Sequence, residues 1–85
     1  MLLPDLRTRE AKAAQRYMQH KGYGHLRPMG VIPIDGDHCW YYYYDLPEGI
    51  LELEVVADPE WRCSVTTFQL VPGHSDLRTE FALAG

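Results

Sequence analysis

The sequence predicts an α+β domain in which an N-terminal helix packs on a four-stranded antiparallel β-meander. An alanine-rich segment opens the chain, and several short runs of aromatic and β-branched residues follow it. Breaks that contain Asp, Pro and Gly separate these runs, as in β-hairpins. The length of 85 residues fits one domain, 1–85, divided into a helix over 5–21, a sheet over 31–69 and a tail over 72–85.

The composition is that of a globular domain. A hydrophobic content of 46% with 12% aromatic residues argues against disorder. No apolar run approaches the roughly 20 residues that span a bilayer. The segment Met1–Asp5 holds only two leucines before the charged residues begin, so it is not a secretory signal. We therefore expect a cytoplasmic protein without a membrane span.

The predicted helix over 5–21 has one apolar and one basic side. Its alanines favour the helix interior, and Gly22 suits the left-handed position beyond the end. At about 100° per residue, Arg9, Lys12 and Arg16 form a stripe opposite the apolar side. The apolar side comprises Leu3, Leu6, Ala13, Ala14, Tyr17 and Met18.

The stretch 39–56 carries the strongest hairpin signal, because an aromatic run and an aliphatic run flank a break with Pro and Gly. One face of the sheet must be apolar, and a slip by one residue would exchange the faces. We therefore expect Tyr44 to pair with Ile50 across a five-residue loop, and Val55 to pair with Trp61 in the next hairpin.

The two ends of the sheet have weaker signals. Val31–Ile34 contains Pro33, which donates no ladder hydrogen bond and therefore favours an edge strand. Asp35–Gly36 then predicts a two-residue type I′ turn. In the tail over 72–85, Ser75 is a candidate cap of a short helix. The sequence leaves open whether such a helix covers part of the sheet, docks on a partner or frays.

The predicted register divides the side chains of the sheet between two faces, and we expect the helix to pack on the inner one. The inner face comprises Ile32, Cys39, Tyr41, Tyr43, Leu51, Leu53, Val55, Trp61, Cys63 and Val65. The outer face comprises Trp40, Tyr42, Tyr44, Ile50, Glu52, Glu54, Arg62, Ser64 and Thr66. On the outer face we expect a surface ion pair between Glu54 and Arg62.

An exposed aromatic row is the main functional signal in this register. Trp and Tyr dominate the hot spots of protein interfaces, and such a row is unusual on a small monomer. The sequence therefore predicts a non-catalytic protein–protein interaction module, which acts as a homodimer or as an accessory subunit. The predicted partner-binding residues are Trp40, Tyr42, Tyr44, Glu52, Glu54 and Arg62.

The charge distribution supports a different class of function. Residues 1–28 carry six basic and two acidic side chains, whereas residues 29–85 carry two basic and ten acidic ones. Arg9, Lys12 and Arg16 form a secondary basic face, and a nucleic-acid-associated regulator that uses this face is the first alternative. Nucleic acid is not expected on the sheet, because the acidic side chains there would repel phosphates.

Neither catalysis nor a bound cofactor or metal is predicted. The chain has no phosphate loop, dinucleotide fingerprint or nucleophile elbow, and its four histidines are scattered. Cys39 and Cys63 lie about 9.5 Å apart on one face in the predicted register, too far for a disulfide, so we expect two reduced thiols. A small-ligand or enzyme domain with a pocket near Tyr17, Tyr41 and Cys63 is the second alternative.

Overall fold

The computed structural model describes residues 1–72, which form one helix on a four-stranded antiparallel sheet. The predicted α+β fold is therefore confirmed. Apart from Pro72, the predicted tail and its candidate cap Ser75 lie outside the described residues. No helix in the described part of the chain is long and apolar enough to cross a membrane. In chain order, the elements are α1 (Arg9–His20), β1 (Gly30–Asp35), β2 (Cys39–Leu46), β3 (Gly49–Ala57) and β4 (Cys63–Pro72).

The helix begins at Arg9, later than the predicted start at residue 5. Thr8 is the N-cap, and its hydroxyl accepts a hydrogen bond from the Ala11 amide at 3.2 Å. Asp5 instead accepts hydrogen bonds from the backbone and the guanidinium of Arg7, both at 3.0 Å. This local bonding competes with the helix and delays its first turn to the Thr8 cap.

The hairpin between β2 and β3 has a register one residue away from the predicted one. Tyr44 pairs with Leu51 instead of Ile50, and Leu46 pairs with Gly49, so that only two residues form the turn. Because side chains alternate along a strand, this shift exchanges the two faces of β2 relative to β3. The predicted five-residue loop is therefore wrong.

Trp40, Tyr42 and Tyr44 face the helix, which contradicts their predicted place on the outer face. Their exposed fractions are 8%, 2% and 0%. The physical reason lies at the end of β2. The side of the strand that carries these aromatics also carries Leu46, which is buried, whereas the other side carries Asp45, which is exposed. Placing that carboxylate in the core would cost more than placing tyrosine hydroxyls there.

The other side of β2 belongs to the face of the sheet that points away from α1, which we call the outer sheet face. The prediction that Cys39, Tyr41 and Tyr43 belong to the core face is therefore wrong. Ile32 pairs with Tyr41 and lies on the same side, so its predicted inner position is also wrong. Described members of the outer sheet face are Ile32, Cys39, Tyr41, Tyr43, Ile50, Glu52, Glu54, Val56, Ser64 and Gln69.

The last hairpin also differs from the prediction, because β4 begins at Cys63 and Val55 pairs with Val65 rather than with Trp61. A bulge follows Val65, where the register shifts. Cys63 and Val65 pack against the core, as predicted. Trp61 belongs to the connection between β3 and β4, and its predicted place in the inner face is wrong.

The strand β1 lies at one end of the strand order, as its proline predicts. Leu2 forms a single antiparallel bridge with Val31, through reciprocal backbone hydrogen bonds of 3.0 Å. The reversal after β1 spans residues 36–38 and is longer than the predicted two-residue turn, because the register shifts between Pro33 and Asp35.

The core lies between α1 and the helix-facing side of the sheet. Three alanines let the helix approach the sheet closely, and Met18 fills the space near its end with none of its surface exposed. Buried sheet residues of this core are Val31, Trp40, Tyr42, Tyr44, Leu46, Leu51, Leu53, Val55 and Ala57.

Candidate functional site

The predicted partner-binding residues do not share one surface. Trp40, Tyr42 and Tyr44 lie in the core. Glu52 and Glu54 lie on the outer sheet face and are partly buried. The predicted aromatic and acidic sets are therefore on opposite sides of the sheet.

Hydrogen bonds across the strands hold the carboxylates of the outer sheet face. Glu52 accepts one from the Tyr43 hydroxyl at 2.8 Å and one from the Gln69 amide at 3.1 Å. Glu54 accepts one from the Thr66 hydroxyl at 2.7 Å. These contacts join neighbouring strands, so the two carboxylates help to hold the sheet together.

The same contacts determine ionisation on this face. The hydrogen bonds from Thr66 and, secondarily, Tyr41 hold the pKa of Glu54 below its ordinary value. Burial, followed by the bond to Glu52, raises the pKa of Tyr43. The outer sheet face therefore keeps a charged Glu54 beside the neutral phenols of Tyr41 and Tyr43.

The connection between β3 and β4 is organised by Asp58. Its carboxylate accepts hydrogen bonds from the backbone amides of Glu60 and Arg62 and from the Arg62 guanidinium, all at 2.9 Å. The Trp61 amide donates to the Asp58 carbonyl at 2.8 Å. These bonds, with that of the Arg62 backbone leading, hold the pKa of Asp58 below its ordinary value. A charged Asp58 thus fixes the backbone on both sides of Trp61.

Trp61 has an unusual backbone and an exposed ring. Its φ of 62° is positive, which no other non-glycine residue in the described ranges shows. For a bulky residue this conformation costs roughly 1–3 kcal/mol. The side chain is 44% exposed, and its ring stacks on that of His38 with centroids 4.9 Å apart. A strained backbone therefore presents a large aromatic ring to solvent.

Arg62 lies beside Trp61 and not on the outer sheet face. The predicted ion pair with Glu54 does not form, because Arg62 precedes β4. Its guanidinium lies 2.9 Å from Asp58 and 3.2 Å from Glu60 instead. Both pairs are exposed and contribute little stability, but they place the cation next to α1.

A groove runs between α1 and the start of β4. Arg9, Lys12 and Arg16 are exposed and recur at helical spacing along it. Among residues 1–72, no carboxylate lies within 4.0 Å of these three cations. We call this feature the basic groove; it is lined by Arg9, Lys12, Arg16, Trp61, Arg62 and Cys63.

The two ends of the basic groove differ in charge. At one end, Glu10 and Asp37 line the surface beside Trp61. At the other end, Tyr17 and His20 continue the groove along the last turns of α1. The positive potential is therefore confined to a short central section between α1 and Arg62.

Cys63 forms part of the floor of the groove, and its thiol is not activated. Burial and, secondarily, the negative charge of Glu10 raise its pKa, and the positive charges of Arg9 and Arg16 oppose this only in part. The thiol of Cys39 also has a raised pKa because of burial. Both cysteines are free, but they lie on opposite faces of the sheet, which corrects the prediction that they share one face.

The pocket expected between Tyr17, Tyr41 and Cys63 does not form, because Tyr41 is on the outer sheet face. Tyr17 and Cys63 line one depression on the helix side. In the part of the chain that the structure describes, no three His, Cys, Asp or Glu side chains are placed to share a metal ion.

Sequence reasoning missed the exposure of Trp61. The available signal was Asp58, since an Asp before a turn accepts hydrogen bonds from the following backbone amides and tolerates strained neighbours. Fold and groove together define the class of protein as a small α+β domain with a basic, aromatic-edged groove. Comparison with protein-family models, curated proteins and solved structures finds no match.

Proposed function

We propose that this chain is a non-catalytic protein–protein interaction module of the cytoplasm, which binds its partner through the basic groove. The observation that carries the proposal is Trp61, which is 44% exposed and is fixed by Asp58 in a strained conformation. Strain of this kind persists where the surrounding structure enforces it, and it concentrates at binding sites. The proposed binding surface thus replaces the buried aromatic row.

The energetics of protein interfaces support Trp61 as the central contact. Tryptophan is enriched among the few residues that carry most of the binding energy. Its ring is rigid, so that little conformational entropy is lost on binding. Stacking on His38 and backbone bonding through Asp58 reduce that loss further, because the ring is held in place before a partner arrives.

The state of the cysteines argues against catalysis by either thiol and supports the cytoplasmic location. A nucleophilic or metal-binding cysteine has a lowered pKa, whereas burial raises the pKa of both Cys39 and Cys63. Two free thiols fit a reducing compartment.

Affinity capture of the tagged chain from its native cell, followed by mass spectrometry, tests the proposal. We expect Trp61→Ala to lose the captured partner. The matched control is Tyr23→Ala, because Tyr23 is 39% exposed and is not part of the groove lining. This variant should retain the partner. Sedimentation of the same variants detects self-association.

A third variant separates the groove from the outer sheet face. Tyr41→Ser changes a partly buried tyrosine next to Glu54 and leaves the helix side intact. If Tyr41→Ser loses the partner while Trp61→Ala retains it, binding belongs to the sheet and the groove proposal is wrong. Retention of the partner by both variants also refutes it.

A further inference from the structure

The charges of the basic groove are open to a ligand. Arg9, Lys12 and Arg16 lie on one side of α1 and have no carboxylate of residues 1–72 within 4.0 Å. Arg9 and Arg16 are seven positions apart in the helix, which corresponds to a rise of about 10 Å along its axis. An extended peptide covers this distance with roughly three to four residues. The stripe therefore matches a short extended segment in length.

The surroundings of the groove limit the size of an anionic ligand. Glu10 and Asp37 close one end, and Glu60 already pairs with Arg62. A long polyanion that continued beyond the stripe would approach these carboxylates and be repelled. A segment with only two or three negative charges fits between them.

The groove also offers apolar contact beside its charges. Trp61 forms one wall of the groove. Cys63 and Val65, at the start of β4, are partly buried against the helix. A peptide side chain can contact this floor and the ring of Trp61 at the same time. The combination of a charged stripe and an aromatic edge is typical of protein partners with both acidic and apolar residues.

We infer that the groove binds a short acidic segment of a partner protein, in extended conformation, with two or three carboxylates along Arg9, Lys12 and Arg16 and one apolar side chain against Trp61. This inference rests on the proposed function and names the chemistry of its partner. Nucleic acid is disfavoured, because the three cations of α1 release few counterions and give weak binding at physiological salt.

Fluorescence anisotropy with labelled synthetic peptides tests the inference on the whole chain. The probe is an extended peptide of about six residues, in which Glu and Asp flank one Leu. A peptide of the same length with Gln and Asn in place of the acids is the matched control probe. We expect binding of the acidic probe, weakened by salt, and at least about tenfold weaker binding of the neutral probe.

Charge variants of the protein assign the contacts. Each of three single substitutions should lower the affinity for the acidic probe about two- to fivefold: Arg9→Gln, Lys12→Gln and Arg16→Gln. Trp61→Ala should weaken it about tenfold or more. Arg27→Gln removes the same charge from an exposed site outside the groove and should leave binding unchanged. Circular dichroism of each variant checks that the fold is retained.

The outcomes separate this inference from the proposed function. If the acidic probe does not bind but capture still depends on Trp61, the acidic partner is refuted and the interaction module stands. If capture is also independent of Trp61, both are wrong. Equal binding of neutral and acidic probes refutes the role of charge. Tighter binding of a single-stranded oligonucleotide than of the acidic probe would assign the groove to nucleic acid and overturn the inference.

Discussion

The ring of His38 lies stacked on the ring of Trp61, with an interplanar angle of 18°. This contact joins the reversal after β1 to the connection before β4 and supports the edge of the basic groove. We expect His38→Ala to increase the mobility of Trp61 with little loss of stability. Quenching of tryptophan fluorescence by acrylamide should therefore rise in this variant. Trp61→Phe is the control, because its remaining tryptophan fluorescence comes from the buried Trp40 alone. Unchanged quenching would mean that His38 does not hold the ring.

The hydroxyl of Tyr44 is buried and has no hydrogen-bond partner among residues 1–72. A buried unsatisfied hydroxyl costs about 1–3 kcal/mol. We therefore expect Tyr44→Phe to leave the free energy of unfolding unchanged or to raise it. Tyr43→Phe is the matched control, because the Tyr43 hydroxyl donates a hydrogen bond to Glu52 at 2.8 Å and its removal should cost roughly 0.5–1.5 kcal/mol. Urea denaturation measures both, and a larger loss for Tyr44→Phe would contradict the prediction.

Alkaline pH should unfold the protein through its buried tyrosines. Burial raises the pKa of Tyr42 from 10.0 to about 12, and it also raises the pKa of Tyr44. A group whose pKa is higher in the folded state stabilises the fold below the pKa of the unfolded state, and this contribution is lost as the pH rises through the folded value. Stability should therefore fall above about pH 10.

Tyrosinate absorbance measured together with circular dichroism checks this pH dependence. We expect the ionisation of the buried tyrosines and the loss of the fold to occur in one transition. Removing one ionisable phenol by Tyr42→Phe should reduce the slope of stability against pH in this range. Full ionisation of all tyrosines without unfolding would contradict the observed burial of Tyr42 and Tyr44.

Gly49 and Gly36 differ in what a side chain at each position would require. Gly49 has a φ of 147°, which essentially only glycine adopts, whereas Gly36 has a φ of 50° in the left-handed region. We expect Gly49→Ala to cost about 1–3 kcal/mol. Gly36→Asn should be tolerated, because Asn adopts the left-handed conformation and nothing lies within 4 Å of a Cβ there. Thermal unfolding compares the two variants. Equal losses of stability would contradict the two-residue turn that immediately precedes Gly49.

Leucine truncation distinguishes the core from the surface of the sheet. Leu53 has no exposed surface, whereas Leu70 is 48% exposed on the neighbouring strand. We expect Leu53→Ala to cost about 2–5 kcal/mol, which is a large part of the stability of so small a domain. Leu70→Ala should cost less than about 1 kcal/mol. Similar losses for both, measured by denaturant unfolding, would contradict the observed difference in burial between these two leucines.

Local patterns predicted the elements of this fold but not the faces of its sheet. Alanines and the residues around Gly22 indicated the helix, and the break between the aromatic and aliphatic runs indicated the hairpin. The aromatic run is apolar on both sides, so alternation alone could not choose between them. The decisive residues were Asp45 and Leu46 at its end, since only one of the two is suited to the core.

The candidate site likewise could be predicted only where it depends on local sequence. Helical periodicity was sufficient to place Arg9, Lys12 and Arg16 on one exposed stripe, because that relationship is local. The position of Trp61 depends on Asp58, on the stacked ring of His38 and on the bulge in β4. Its contact with His38 joins distant parts of the chain, so no sequence pattern indicated it.

The sequence by itself determined an α+β domain with one basic helix and an acidic antiparallel sheet, because propensity, turn chemistry and charge are properties of neighbouring residues. Only the tertiary structure decided which aromatics are buried and which are exposed. Register is set by the total burial of a whole face against α1, and a shift of one residue at Tyr44 reverses every side chain of β2. The buried row of Trp40, Tyr42 and Tyr44 and the exposed ring of Trp61 both depend on strand pairings beyond local sequence.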